Sequence, residues 1–211
     1  MSTDSPADLL VLHAVRILGF TDTATVTDRF DLDLSETDEA LRAAEGRGWT
    51  TDTTFGDTSG WSLTELGRAE NERRLASELA DIHGRDDIRE IYREFLPLNA
   101  VVLRACTDWQ LKPAPGDRLA PNDHTDDAWD ARVLRELTAI AHVLPPLIGR
   151  LGTLLTRFRG YDQRFDAALT RARGGEPAFV DRTDIDSCHR VWFQLHEDLI
   201  ATLGIDRRAQ A

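Results

Sequence analysis

The stretch GWTTDTTFGDTSGWSLTELGRAE, residues 48–70, decides how this chain is read. The threonine-rich WTTDTTF favours an extended strand, GDTSG supplies a turn, and WSL resumes a short strand, so the segment predicts a β-hairpin. From Thr64 a long helix is expected that carries Leu75, Leu79 and Ile82 on one stripe and stops near Gly84. Working back toward the N-terminus, Leu10, Ala14, Ile17 and Leu18 keep the i, i+4, i+7, i+8 spacing of an amphipathic helix over 7–18, with Gly19 able to end it. The polar TDT at 21–23 caps a short second helix bearing Val26 and Phe30. Ser35 then opens a capping-box pattern, SETD, ahead of a third helix from about Glu36 to Arg47 that Gly48 closes.

With Gly48 and Trp49 ahead of the hairpin and GWSLTELGRAE behind it, residues 9–80 resemble the MarR-type winged-helix transcriptional regulators. In that family a leucine-threonine-x-x-glycine-arginine segment opens the helix behind the wing, and Leu63, Thr64, Glu65, Leu66, Gly67 and Arg68 match it. The resemblance implies that helix three enters the major groove of double-stranded DNA and the wing the neighbouring minor groove. It thereby implies DNA-binding roles for Thr25 on helix two, for Ser35, Thr37 and Arg42 on helix three, for Arg47, and for the wing tip at residues 57–59. It also implies a homodimer that reads two half-sites, paired through the long helices beginning at Thr64 and Asp86.

Charge points the other way. Net charge is −12, and the residues up to Gly84 hold 17 acidic against 7 basic side chains, which leaves that part at −10. Phosphate neutralisation supplies nearly all non-specific affinity for a duplex. Helix three presents Glu36, Asp38, Glu39 and Glu45, and Arg29, Arg42 and Arg47 are the only arginines near it. The competing expectation is a non-DNA-binding interaction or ligand-binding module, with helix three a solvated acidic face or one packed on a helical partner.

Beyond Gly84 the pattern is helical without strand alternation, so the fold expected is mainly α: a winged helix-turn-helix over 1–84 and an all-helical domain over 85–211 that senses a ligand or dimerises. Ile88, Ile91, Tyr92 and Phe95 form one stripe; Pro97 interrupts it, and Leu98, Val101, Val102, Ala105 and Trp109 resume it. KPAPGDRLAPND must be a loop. Thr125 is placed to cap the next helix, in which Val133, Leu137, Ile140 and Leu144 face a core before Pro145 and Pro146 kink or restart it. A final helix spans about Asp186 to Leu203.

That last helix, with the segment around FLPLN and CTDWQ, carries the densest set of chemically capable side chains, and these segments resemble a set of actinobacterial regulators with this domain order. Asn99, Asp108, Trp109, His189, Trp192 and His196 are the candidate lining of a small-molecule site, since tryptophan walls and a few convergent polar groups are the usual make-up of one. Read blandly, they are core aromatics and hydrogen-bonded histidines. His189 and His196 are seven residues apart, a rise of about 10.5 Å, too far for one metal held by both. His196 beside Glu197 and Asp198 could serve acid–base chemistry, yet no glycine-rich phosphate loop, nucleophile elbow or HExxH fixes a reaction, so no enzyme, cofactor or metal is expected. Two cysteines, an acidic N-terminus and the lack of an apolar run near the roughly 20 residues of a bilayer span predict a cytoplasmic protein with no membrane partner.

Overall fold

The structure is a computed structural model that describes residues 2–56 and 58–205. The chain is mainly helical with one two-stranded antiparallel sheet, and it divides into two compact units. The first takes the chain up to Asp86, residues 153–157 and the chain from Glu197 on; the second takes residues 87–152 and 158–196. In this division residues 153–157 and those from Glu197 group with the N-terminal part. Two late segments return to the N-terminal part because they carry side chains that complete its interior, among them Ala201, which packs with Leu9 and Leu75.

In the first unit, α1 (Ala7–Leu18), α2 (Thr23–Phe30) and α3 (Leu34–Gly46) precede β1 (Thr50–Phe55), β2 (Thr58–Leu63) and α4 (Glu65–Asp81). Asp22 caps α2 by accepting from the Thr25 amide. The cap of α3 is Asp33 and not Ser35: its Oδ1 accepts from the amides of Ser35 and Glu36, so the helix starts at Leu34. A carboxylate at the positive helix end satisfies two orphan donors, which leaves the Ser35 hydroxyl nothing to do. The strands pair from Thr50 opposite Leu63 to Phe55 opposite Thr58. Thr21 exchanges both backbone hydrogen bonds with Trp61, at 3.1 and 2.7 Å, adding a single bridge beside β2. Trp61 packs with Val11, Ala14, Val15, Val26 and Leu41 as the core of these elements.

The LTELGR segment has a structural reason for its residues. Thr64 Oγ1 accepts from the Gly67 amide as the cap of α4 and lies within hydrogen-bond reach of the Gly48 and Trp49 carbonyls. Gly48 itself turns at φ +73°. At Gly67 a β-carbon would lie 1.9 Å from the Trp49 carbonyl oxygen, so only glycine lets the first turn of α4 sit against the base of the hairpin.

The second unit takes most of α5 (Arg85–Gln110) and of α6 (Asp127–Leu154), all of α7 (Tyr161–Arg173) and α8 (Ala178–Asp181), and the first part of α9 (Cys188–Leu203), whose end belongs to the first unit; a 3-10 turn at Thr156–Phe158 precedes α7. None of the three prolines expected to interrupt or restart a helix ends one. Pro97 lies inside α5, and Pro145 and Pro146 lie inside α6. Each ring is exposed, while Phe95 and Val102, or Leu144, Leu147 and Ile148, are buried around it. Burying a large apolar side chain contributes about 1.5–3 kcal/mol, so a few of them offset the roughly 3 kcal/mol cost of an interior proline. The start of α6 is held by Asp126, whose Oδ1 accepts from the Ala128 and Trp129 amides; Thr125 bonds Asp123 instead.

Contrary to the sequence expectation, α6 has an 18-residue window of mean hydropathy 1.3 and is long and apolar enough to cross a membrane by length and composition. Its apolar stripe, Val133, Leu137, Ile140, Leu144, Leu147 and Leu151, is buried inside the protein.

Candidate functional site

Of the five residues expected to meet DNA, one is turned into the interior. Ser35, Arg42 and Arg47 are exposed and Thr25 is half-buried, but Thr37 is 1% exposed and cannot reach a base edge. Helical spacing turns Thr37 onto the same inward face as Leu41 and Ala44. The Arg42 guanidinium donates from Nε to Asp38 Oδ2 at 2.8 Å, one helical turn back. That bond, with the nearby charges of Asp52 and Glu45, holds it even more firmly charged than usual. Arg47 lies over the Trp49 ring at 5.0 Å. At the wing tip, Asp57 lies outside the described residues.

The six candidate ligand residues fall into separate groups within the second unit. Trp192 is buried, stacks on Phe95 at 4.7 Å and donates from its indole N–H to Asn99 Oδ1 at 2.9 Å. His196, half-buried, lies 5.2 Å from the Phe95 ring, with its Nε2 3.4 Å from the Tyr92 hydroxyl. His189 Nδ1 is buried and has no hydrogen-bond partner among the described residues. Asp108 and Trp109 belong elsewhere. Asp108 pairs with Arg132 at 2.8 Å, and Trp109 lies against His124, which meets Asp130 at 2.8 Å while Asn122 donates to the Trp109 carbonyl and to Asp130. Trp192 packs against the rings of Phe95 and Phe165. Cys106 and Cys188 are buried, and burial pushes both thiols up, Cys106 to about 12, so neither is poised as a nucleophile.

The strongest concentration of buried charge is in the first unit, at residues the sequence reading did not select. His13 on α1, fully buried, meets Asp198 Oδ1 through Nε2 at 3.0 Å and lies 3.5 Å from Asn71 through Nδ1. Arg157, on the 3-10 turn, donates to the same Asp198 oxygen, to Glu78 Oε2 at 3.1 Å and to Thr202 Oγ1 at 3.0 Å. Beside this group Arg16 bonds Glu197 and Glu72, both at 3.0 Å. Glu197 and Asp198, expected beside His196, thus serve Arg16 and Arg157. Among the described residues, no group of three or more histidine, cysteine or acidic side chains is arranged to hold a metal.

Comparison of the chain with family models, curated proteins and solved structures finds no match. Burial disfavours the imidazolium of His13, and Arg157 and Arg16 add to this, so its pKa falls below the usual 6.5 despite the Asp198 carboxylate. The ring is then neutral at pH 7, and Nε2–H donates to Asp198. Burial alone would raise the Asp198 pKa, but Arg157 and His13 outweigh it and hold the carboxyl at about 2 against the usual 3.8. Chemically, the cluster is a charge lock. The sequence signal is a lone histidine, His13, in the otherwise apolar stretch LLVLHAV at residues 9–15, most of which is buried in the fold.

The lock has a pH signature. Unfolded, His13 takes up a proton more readily than in the fold, so stability falls as the pH drops below 6.5. Asp198 adds a second loss as pH falls from 3.8 toward about 2. Urea midpoints measured from pH 7.5 to 5 should decline, and His13→Gln should flatten that decline. An equal slope in both proteins would place the titration elsewhere.

Proposed function

We propose that this chain is a cytosolic regulatory protein whose first unit is a winged-helix-type module, and that the module uses its third helix to dock a basic protein segment instead of reading duplex DNA. The winged-helix reading is supported by the order α1-α2-α3-β1-β2-α4, the Thr21–Trp61 bridge beside the hairpin, and the LTELGR segment clamped to Gly48 and Trp49. The docking reading is carried by the state of Arg42. The cation that would have to meet the duplex is bonded to Asp38, with Glu45 and Asp52 around it and Glu36 and Glu39 exposed on the same helix. DNA presents about one negative charge per 1.7 Å of axis, so this face would be repelled from it and drawn to arginine and lysine side chains. A homodimer and a small effector, as in ligand-responsive regulators, belong to the same reading.

Anisotropy titrations over 50–200 mM salt test the choice. A labelled duplex should show no saturable binding, whereas a nona-arginine peptide should bind with an affinity that falls with salt and that Glu36→Lys with Glu39→Lys lowers at least about tenfold. Saturable duplex binding with a steep salt slope, reduced by Arg42→Ala, would restore DNA reading through α3.

A further inference from the structure

The first unit also holds a groove of about 470 Å³ between the N-terminal segment and α4. Pro6, Leu9 and Ile82 are its apolar lining. Ser77, Glu78 and Asp81 supply polar groups from one face of α4, at the i, i+1 and i+4 positions of a helical turn. The two arginines at the rim are committed elsewhere: Arg73 and Arg74 both bond Glu70, and Arg74 also bonds Asp8 at 2.6 Å. Asp4, on the same rim, accepts from the Thr156 hydroxyl. Asp81 has no ion pair among the described residues and is exposed. Thr3 fixes the N-terminal wall through backbone bonds to Leu154 and Thr156, both 3.1 Å.

The decisive atom is Glu78 Oε1. Glu78 is 8% exposed, and its second oxygen, Oε2, is held by Arg157. Oε1 is buried and accepts no hydrogen bond among the described residues, although Glu78 lines the groove. A buried carboxylate oxygen left without a donor is costly, and Glu78 is one of the residues that line the groove. The unmet chemistry on this wall is a positive charge carrying N–H groups: a buried acceptor at Glu78, a free carboxylate at Asp81, and an aliphatic lining beside them.

We infer that this groove binds a small primary alkylammonium ion, its N–H groups donated to Glu78 Oε1 and Asp81 and its alkyl chain laid over Pro6, Leu9 and Ile82. Bound there, the cation completes the hydrogen bonding of a carboxylate that also holds Arg157, so it stabilises the charge lock directly. A metal ion fits less well, since the surrounding acidic groups do not converge into a coordinating set. The site is on α4 and the N-terminal segment, so occupancy does not depend on what α3 docks.

Calorimetric titration of the full chain with hexylammonium chloride tests this. Saturable binding is expected, with tetramethylammonium, which has the charge but no N–H, binding at least about tenfold more weakly. Asp81→Asn, an exposed change that leaves the fold intact, should weaken hexylammonium binding about three- to tenfold, and Glu78→Gln more. Thermal unfolding should shift upward with hexylammonium in the parent and not in Asp81→Asn or Glu78→Gln. Absence of saturation, equal binding of tetramethylammonium, or an Asp81→Asn variant that binds as the parent does would each overturn the assignment.

Discussion

Replacing Arg157 with methionine is expected to lower the unfolding free energy by about 3–5 kcal/mol, because it removes the cation shared by two buried carboxylates. Asp198 is fully buried, and Glu78 nearly so; without Arg157 each keeps its desolvation cost and loses its main compensating charge. The Thr202 hydroxyl loses a donor as well. Urea unfolding should show a lower midpoint at unchanged m-value, the mark of lost stability rather than of altered compactness. Adding Glu78→Gln and Asp198→Asn to Arg157→Met should recover part of the loss, since removing all the charges is far cheaper than stranding two of them. A loss below about 1 kcal/mol for Arg157→Met alone would mean that water, not Arg157, compensates these carboxylates.

Trp192→Ala should cost a similar amount, about 3–5 kcal/mol, for a different reason. The indole is 2% exposed, stacks on Phe95 at 4.7 Å and meets Phe165 edge-on at 5.9 Å, so truncation opens a cavity among rings that cannot collapse into it. Trp192→Phe should cost less, since it keeps most of the packing and gives up the hydrogen bond to Asn99. The pair of variants separates a core residue from the wall of a ligand cavity. A cavity wall would lose little stability on truncation and would change ligand binding instead.

Much of the architecture was legible before the fold was known, and the reason is local. The three N-terminal helices, the hairpin at residues 50–63 and the helix after Thr64 follow from apolar spacing, capping side chains and turn glycines, all of which act within a few residues. Where local rules competed, nearby geometry chose between them: Asp33 took the cap that Ser35 was expected to supply, and Asp126 the one expected of Thr125. At Pro97, Pro145 and Pro146 the helices run on, because a local breaking signal is outweighed by apolar burial on both sides of it. The ligand residues were grouped by chemical type, but only the fold could show that Trp192 and Asn99 meet while Trp109 turns to His124.

By itself, the sequence determined the mainly helical class, the hairpin and its place, and the acidic bias of the first 84 residues, since composition and short-range periodicity settle these. The charge lock was decided by tertiary structure alone. His13 and Asp198 stand 185 residues apart, and Arg157 reaches Glu78 across 79. Each of these side chains, seen in its own helix or turn, looks like an ordinary polar residue. Their pairing follows from desolvation: a charge carried into the interior must find its opposite there, and which one it finds depends on how segments distant in sequence are packed.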